Sequence, residues 1–362
     1  MERTIRKPPI TKALAAQTYC NDQAAANENQ KSYKLSEFLD WTRRRLYLVL
    51  VLAIIPVVLY QLLGQKWVAL PWSLAVLLGT AASFIVGFKN VQTYNRTVEA
   101  QQVWTAIASA SRYWATICRD FPTSSRSTKA LIHRHLAWLT VLRYELRSPR
   151  VWESAIGSSN AEYRARFYTV PETETTLEVE LARHLPKDEL EQLAAARNKA
   201  TRLISAQSLA IKDLYASQEL AVLHHTEMQK TLKDLLEQQS RAERIKNFPY
   251  PRQYATVNRI FVWCFAGLLP FCLIREFDRL NESVTGLLAG QMAWFAVPFS
   301  ALVSWMYVSL DLVGESTESP FEGGANDVPI SQVSRLVEIE LREMLGESDL
   351  PSPLRPKNDI IL

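Results

Sequence analysis

Few residues in this sequence have the type and spacing that covalent chemistry requires. His133 and His135 stand two residues apart and so face different sides of a helix, while His224 and His225 have no carboxylate or cysteine at ligand spacing. Because zinc sites are built from three or four such ligands, neither pair predicts a metal site. The sequence also has no glycine-rich phosphate loop, nucleophile elbow or paired catalytic carboxylates. We therefore expect no enzyme activity, no cofactor and no bound metal.

A different pattern lies in the stretch GTAASFIVGFKNVQTYNR, residues 79–96. Thr80, Phe84 and Phe88 recur every fourth residue, which places them on one slowly drifting face of a helix. A stripe of small residues that would let helices approach closely runs beside them: Gly79, Ser83 and Gly87. The stretch continues from apolar to polar sequence without a proline. This is typical of a helix that lines a pore or vestibule, although both phenylalanines could also face lipid or an ordinary helix interface.

The elements that must position this stretch are predicted from blocks of apolar sequence. Hydrophobic residues make up 48% of the 362-residue chain and are concentrated in four blocks that are nearly free of charge: Leu46–Leu63, Val68–Phe88, Ile260–Ile274 and Val284–Leu310. At about 1.5 Å per residue, most of these blocks reach the ~30 Å of a bilayer core. Ile260–Ile274 is short and needs Thr256–Val257 or a buried Arg259 to complete a span. The sequence therefore predicts four transmembrane helices.

The charges around these blocks predict the orientation. Arg43, Arg44 and Arg45 precede the first block, so the positive-inside rule places the N-terminus in the cytoplasm. Four spans return the C-terminus to the same side, which indicates the cell (inner) membrane with both termini cytoplasmic. The net charge of +4 is small and dispersed, so it favours contact with the inner leaflet of the lipid bilayer and no nucleic acid partner.

The fold class expected is an all-α membrane protein whose four transmembrane helices are continuous with a cytoplasmic helical bundle. In that bundle Trp104, Trp114 and Trp138 read as core aromatics. Six segments are predicted: an N-terminal polar segment (1–34), a first transmembrane hairpin with a pore-lining second helix (35–96), a cytoplasmic helical region (97–255), a second transmembrane helix pair (256–310), a cytoplasmic loop with an amphipathic helix (311–346) and a flexible tail (347–362).

Three stretches of the sequence resemble one known family. SFIVGFKNVQTYNRTVEAQQVW resembles the second-span motif of the bestrophin family of pentameric ion channels. RAERIKNFPYPRQYATVNRIFVW resembles that family's entry to the third span, and DLVGESTESPFEGGANDVPISQVSRLVEIELREMLGE resembles the segment after its fourth span. The resemblance covers roughly residues 35–346 in order. It implies a homopentamer assembled around a central axial pore.

The resemblance also implies roles for particular residues. The family's hydrophobic neck corresponds here to Thr80, Phe84 and Phe88, so five copies would place rings of phenyl groups around the axis. A narrow cytoplasmic aperture corresponds to the stretch Phe248–Pro251, in which Phe248 and Tyr250 are both candidates.

The loop after the fourth span departs from the family's pattern. Many animal members bind calcium through acidic side chains that follow a Pro-Phe pair, and calcium requires six to eight oxygen ligands. Here glycine and alanine replace most ligand-bearing residues after Pro320–Phe321, and Asp327 is the remnant of that calcium clasp. The sequence predicts that Asp327 instead caps the helix that follows, because its carboxylate can accept the first free N–H groups.

The function expected is a passive ion channel that conducts monovalent anions such as chloride. The edge of a phenyl ring is positive, so rings presented edge-on would favour an anion that has lost part of its water. Ring faces turned to the axis would favour monovalent cations instead. From a different class, the chain could be a membrane-anchored helical scaffold whose spans only tether the cytoplasmic bundle.

Overall fold

The computed structural model describes residues 35–154, 157–286, 288–358 and 360–362, and its regular structure is helical. The predicted polar segment 1–34 lies outside the described residues. Twelve α-helices follow in chain order within them: α1 Leu35–Gln61, α2 Trp72–Asp120, α3 Ser125–Arg147, α4 Ser158–Phe167, α5 Pro171–Glu174, α6 Leu177–Leu181, α7 Lys187–Ala194, α8 Lys199–Ala216, α9 Val222–Asn247, α10 Arg252–Arg279, α11 Ala296–Ser316 and α12 Ile330–Met344.

Four helical segments are long and apolar enough to cross a membrane, as the sequence predicts: Leu35–Gln61, Lys66–Asp120, Arg252–Glu282 and Met292–Ser316. The third apolar block, Ile260–Ile274, is too short to cross a bilayer alone. Helix α10 begins at Arg252, so the polar residues before Ile260 complete this span. Arg259 is not buried there, because its guanidinium is exposed and lies 3.2 Å from the Glu315 carboxylate on α11. An ion pair at the end of the span therefore accommodates this charge.

Helix α2 is continuous over 49 residues, from Trp72 to Asp120. At 1.5 Å per residue its length is about 74 Å, more than twice the thickness of a bilayer core. No proline or glycine occurs between Phe88 and Asp120, and Pro122 follows the end of the helix. The expected membrane helix that runs unbroken into the soluble part of the chain is confirmed.

The C-terminal half of α2 packs into a helical bundle formed with α3, α8, α9 and α12. Trp104, Trp114 and Trp138 are fully buried in its core, as predicted. The indole Nε1 of Trp138 donates to Gln239 Oε1 at 2.9 Å, which satisfies its polar atom inside the core. The bundle therefore holds the lower half of α2 in a fixed position beneath the membrane-spanning half.

Within the membrane, small residues on α2 admit two neighbouring helices. A Cβ atom at Gly79 would lie 2.9 Å from the Phe265 ring of α10, so a larger residue here would displace that ring. Ser83 Oγ lies 2.6 Å from the hydroxyl of Tyr307 on α11. Gly87 differs from these two, because nothing in the subunit lies within 4 Å of where its Cβ would be. The predicted small-residue stripe is thus a helix contact at its first two positions only.

The C-terminal part of the chain differs from the sequence prediction in one further respect. A flexible tail is predicted for residues 347–362, but its end is packed against the body of the subunit. Leu362 is buried beside Tyr163 and Tyr168, and its carbonyl oxygen accepts the Gln332 N–H at 2.7 Å. Apolar residues at the end of the tail make this contact favourable, because they remove apolar surface from water.

Candidate functional site

The three predicted neck residues lie on one exposed face of α2. Phe84 is 65% exposed and Phe88 68% exposed, although both are large apolar side chains. Thr80 is exposed one turn above them, and its hydroxyl donates to the Val76 carbonyl at 2.8 Å. The fold therefore brings the three side chains together in one row and leaves them uncovered by their own subunit.

The same row continues with amide side chains towards the cytoplasmic bundle. Gln92 and Asn95 are both exposed and follow Phe88 by four and seven residues. At 3.6 residues per turn, Gln92 lies about 40° and Asn95 about 20° from Phe88 around the helix axis. We call the five residues of this row the front stripe: Thr80, Phe84, Phe88, Gln92 and Asn95. The helical spacing that identifies the phenylalanines would also have identified the two amides.

An open groove runs beside the lower part of the front stripe, between α2 and the start of α10. Phe88, Gln92 and Asn95 line one side of it, and Tyr250 and Tyr254 line the other. The rings of the two tyrosines lie 6.2 Å apart. Tyr250 therefore shares a surface with the front stripe.

Phe248, the second residue predicted for the aperture, lies at the C-terminal end of α9, outside the lining of this groove. Its side chain is 69% exposed, and its N–H donates to the Arg244 carbonyl at 3.0 Å. Phe248 and Tyr250 thus present their rings to different surroundings, which the sequence alone does not distinguish.

The charged groups near the groove are held by other parts of the subunit. The guanidinium of Arg96 donates to the Ile245 carbonyl, and Glu99 forms an ion pair with Arg244. Glu318 accepts the backbone N–H of Tyr250, and burial raises the pKa of its carboxyl, although Lys89 and Arg96 oppose that shift. The polar groups that the front stripe itself exposes are therefore uncharged, namely the Thr80 hydroxyl and the amides of Gln92 and Asn95.

Behind the front stripe, a buried ion pair joins α2 to α11. Lys89 Nζ lies 2.7 Å from Asp311 Oδ1 and 3.3 Å from the Asp311 carbonyl oxygen. The amide of Asn258 on α10 donates to the same carboxylate oxygen, so three helices meet at this point. Buried charges in transmembrane segments are costly and mark functional or positioning sites. In the sequence, Lys89 directly follows the second apolar block and Asp311 directly follows the fourth. These positions are the sequence feature from which the pair could have been suspected.

Further polar contacts fix α2 against the end of α11 below this ion pair. The Thr317 hydroxyl donates to Thr93 Oγ1 at 3.1 Å, and the Thr97 hydroxyl donates to the Thr317 carbonyl at 3.3 Å. Gly314 faces the side chains of Lys89 and Asn90 so closely that a Cβ would lie 3.3 Å from Lys89 Cε. One side of α2 is thus anchored within the subunit, while the front stripe on the other side stays open.

The prediction that Asp327 caps the following helix is wrong. Helix α12 begins at Ile330 after Pro329, and Asp327 Oδ2 instead accepts the N–H groups of Gly323 at 2.7 Å and Gly324 at 2.9 Å. The carboxylate turns back into its own loop because two glycines there offer free N–H groups at close range. Asp327 is therefore a loop-closing residue.

A buried arginine supplies the positive charge beside this carboxylate. Arg147 Nη1 on α3 lies 3.7 Å from Asp327 Oδ2, and both side chains are almost fully buried. Burial raises the pKa of Asp327 to about 6, even though Arg147 and the two N–H groups favour the charged form. Within residues 35–154, 157–286, 288–358 and 360–362, no three His, Cys, Asp or Glu side chains are placed to share a metal ion.

The histidines of the bundle take part in packing and ion pairing. His133 Nε2 lies 2.9 Å from Glu347 Oε1, and His133 Nδ1 lies 3.5 Å from His184 Nδ1. His135 is fully buried between Trp114 and Trp138, and burial lowers its pKa to about 3. His224 stacks on Phe121 with ring centroids 4.0 Å apart. These contacts account for the histidines as structural residues.

The fold and site together define a class: a membrane protein with four apolar helices, one of which carries an exposed apolar stripe and continues into a helical bundle. The chain belongs to the family described as Bacterial/Fungal Bestrophin protein, whose model matches residues 36–343. The resemblance noted in the sequence is thereby confirmed.

Individual relatives match most of the chain. The voltage-dependent anion channel-forming protein YneE of Salmonella typhi is 27% identical over 315 residues, which cover 86% of this chain and 88% of the relative. The voltage-dependent anion channel-forming protein mll4386 of Mesorhizobium japonicum is 23% identical over 272 residues, or 75% of this chain and 74% of the relative. The crystal structure of a bacterial bestrophin homolog from Klebsiella pneumoniae matches with a TM-score of 0.68 and 24% identity, covering 84% of this chain and 98% of that one. The structural match establishes the fold.

Proposed function

We propose that five copies of this chain surround an axial pore and form a passive channel for chloride and other monovalent anions in the cell (inner) membrane. The observation that carries this proposal is the exposure of Phe84 and Phe88, about two thirds each, on a helix anchored from behind. Each copy would contribute Thr80, Phe84 and Phe88 to a hydrophobic neck. Tyr250 and Phe248 are the candidates for a second constriction below it.

The change of chemistry along the front stripe supports a pore-facing orientation. Phe84 and Phe88 are followed in the same row by Gln92 and Asn95, and the groove beside them is open. If this row faced lipid, there would be no reason for polar amides to continue it along the open groove. Apolar rings narrower than a hydrated ion act as gates by losing their water, so five phenyl groups around one axis would control conduction.

Two considerations support anions as the conducted ions. The relatives from Salmonella typhi and Mesorhizobium japonicum are named as anion channel-forming proteins. In addition, a phenyl ring that presents its positive edge to the axis stabilises an anion that has lost part of its water. A cation channel of the same fold would require the ring faces to point to the axis.

The cytoplasmic placement of both termini follows from the basic start of α1. Arg43 and Arg44 both pair with Glu162 on α4, so this end of α1 lies beside the part of the chain that connects the second and third spans. Basic residues are retained on the cytoplasmic side of a membrane. The bundle and both chain ends would therefore face the cytoplasm.

The proposal is tested with purified protein in liposomes. A chloride flux assay and the reversal potential under a KCl gradient measure conduction and its sign, and the mass in detergent measures the number of subunits. We expect a pentamer, chloride flux and a reversal potential close to the equilibrium potential of chloride. Absence of flux would favour the scaffold. A reversal potential close to the equilibrium potential of potassium would favour the cation channel. A clean monomer or dimer that still conducts would contradict the pentameric pore.

A further inference from the structure

We propose that Gln92 and Asn95 are the residues that make the inner end of the neck selective for anions, by donating amide N–H groups to an ion that has passed the phenyl rings. This inference rests on the proposed function, since it requires the front stripe to face the pore. It adds two side chains below the phenyl rings to the groups that favour an anion over a cation.

The position of the two amides is set by the continuous helix. Both follow Phe88 on the same face of α2, within about 40° around the axis. Both are exposed, and both line the groove that Phe88 and Tyr250 also line. At a rise of 1.5 Å per residue, Gln92 lies about 6 Å and Asn95 about 10 Å below Phe88 along the helix. An ion that leaves the apolar ring would meet these amides first.

The chemistry of an amide suits an ion that must be held briefly and then released. Each side chain carries two N–H donors, so five subunits could replace part of the water that a chloride ion loses between the phenyl groups. An amide has no formal charge, so it does not trap the ion as a ring of arginines would. Conduction requires binding that is favourable enough for entry and weak enough for exit.

The charges around the amides decide which end of each amide turns to the ion. The two carboxylates beside the groove are engaged elsewhere, Glu99 with Arg244 and Glu318 with the Tyr250 N–H. Lys89 is paired with Asp311 behind the stripe. Arg96 lines the same groove next to Asn95; it interacts electrostatically with Glu99 and Glu318, but neither carboxylate lies within ion-pair distance of it. A positive group beside the amides favours an anion on their N–H side.

The test introduces a carboxylate without changing the size of the side chain. Asn95→Asp and Gln92→Glu each add five negative charges around the axis, and rings of Asp or Glu favour cations in channels. We expect the chloride-to-potassium permeability ratio, obtained from the reversal potential at pH 8, to fall by about tenfold or more in each variant, because five charges act on one ion. Asn95→Ala removes the donors without adding charge, and we expect a smaller loss of chloride permeability.

Gln101→Glu is the matched control. Gln101 is exposed on the same helix, but it lies about 140° away from Phe88 around the axis. This variant adds the same charge outside the front stripe and should leave the permeability ratio unchanged, with the pentamer intact in all variants. An unchanged ratio in Asn95→Asp, Gln92→Glu and Asn95→Ala would overturn the inference, as would an equal shift in Gln101→Glu. These outcomes leave the proposed channel standing, whereas a wild-type protein without flux would refute the channel itself.

Discussion

Lys89 Nζ lies 2.7 Å from Asp311 Oδ1, and both side chains are at most 8% exposed. Lys89 directly follows Phe88 on α2. The pair joins α2 to α11 on a flank of α2 about 100° around the axis from Phe88, and Asn258 of α10 donates to the same carboxylate. Because a helix anchored on one side can hold the other side at a fixed distance from an axis, this ion pair is suited to position Phe88 in the neck.

Breaking this ion pair should cost more stability than removing it altogether. Lys89→Met leaves the Asp311 carboxylate buried without its cation, which we expect to destabilise the protein by about 3 to 5 kcal/mol. Lys89→Met combined with Asp311→Leu should recover most of that loss, because no charge is then buried. Thermal unfolding of the single and double variants in detergent measures the difference. Losses that simply add would show that the two side chains do not act as a pair.

Removing one phenyl ring per subunit should increase conduction. Phe84→Ala takes five rings from the neck and lowers the cost of wetting it, and we expect chloride flux to rise by about tenfold, which corresponds to about 1.4 kcal/mol of barrier. Phe299→Ala is the control, since Phe299 is an exposed phenylalanine of α11 outside the front stripe. Single-channel recordings compare the two. Equal behaviour of both variants would mean that Phe84 is not in the neck.

Two glycines of the membrane region should respond differently to an added methyl group. Gly314→Ala places a Cβ against Asn90 and Lys89, and we expect a loss of about 1 to 2 kcal/mol from overpacking. Gly87→Ala meets nothing within its own subunit and should keep the subunit stable. The melting temperature measures both effects. If Gly87→Leu changes the mass in detergent while Gly87→Ala does not, Gly87 faces a neighbouring copy.

Calcium should have little effect on this channel, and Asp327 should matter for stability. Asp327→Ala removes the acceptor of two glycine N–H groups and the neighbour of the buried Arg147, so we expect a loss of about 3 kcal/mol. Asp327→Asn keeps one acceptor and should lose less. Chloride flux with and without micromolar calcium tests the first point. A saturable activation by calcium that Asp327→Ala abolishes would contradict this interpretation.

Acid should destabilise the cytoplasmic bundle through its buried histidines. Burial lowers the pKa of His135 and of His184 to about 3, below the ordinary value of 6.5. As the pH falls from 6.5 to 5, each histidine binds a proton in the unfolded chain but not in the folded one. The free energy of unfolding therefore falls by about 2 kcal/mol per histidine over this range. The contribution of each neutral histidine to stability is fully present only above pH 6.5.

His135→Leu tests this pH dependence. Neither ring nitrogen of His135 has a hydrogen-bond partner among the described residues, so the variant should keep its stability at pH 7.5. Its melting temperature should fall less between pH 7.5 and pH 5 than that of the wild type. His224→Leu, at the half-buried ring that stacks on Phe121, should retain the wild-type dependence. The same acid loss in all three proteins would show that other groups cause it.

Local sequence patterns were enough to predict the four spans, the unbroken α2, the buried tryptophans and the row formed by Thr80, Phe84 and Phe88. These features depend on local properties, namely the length of apolar blocks, the positions of proline and glycine, and the 3.6-residue period of a helix. A row on one helix needs no knowledge of the other helices, and for that reason Gln92 and Asn95 could have been included in it.

The contacts between groups that are far apart in the chain could be established only from the packed fold. Lys89 and Asp311 are 222 residues apart, and the sequence contains no period that relates them. The sequence predicts that Asp327 caps a helix, because it shows the neighbouring helix but not the two glycine N–H groups or the Arg147 that the fold places beside this carboxylate. Likewise, Leu362 is buried because α4 and its flanking residues offer an apolar surface. Such contacts arise from the packing of helices in space, where burial and charge pairing act between residues that the chain keeps far apart.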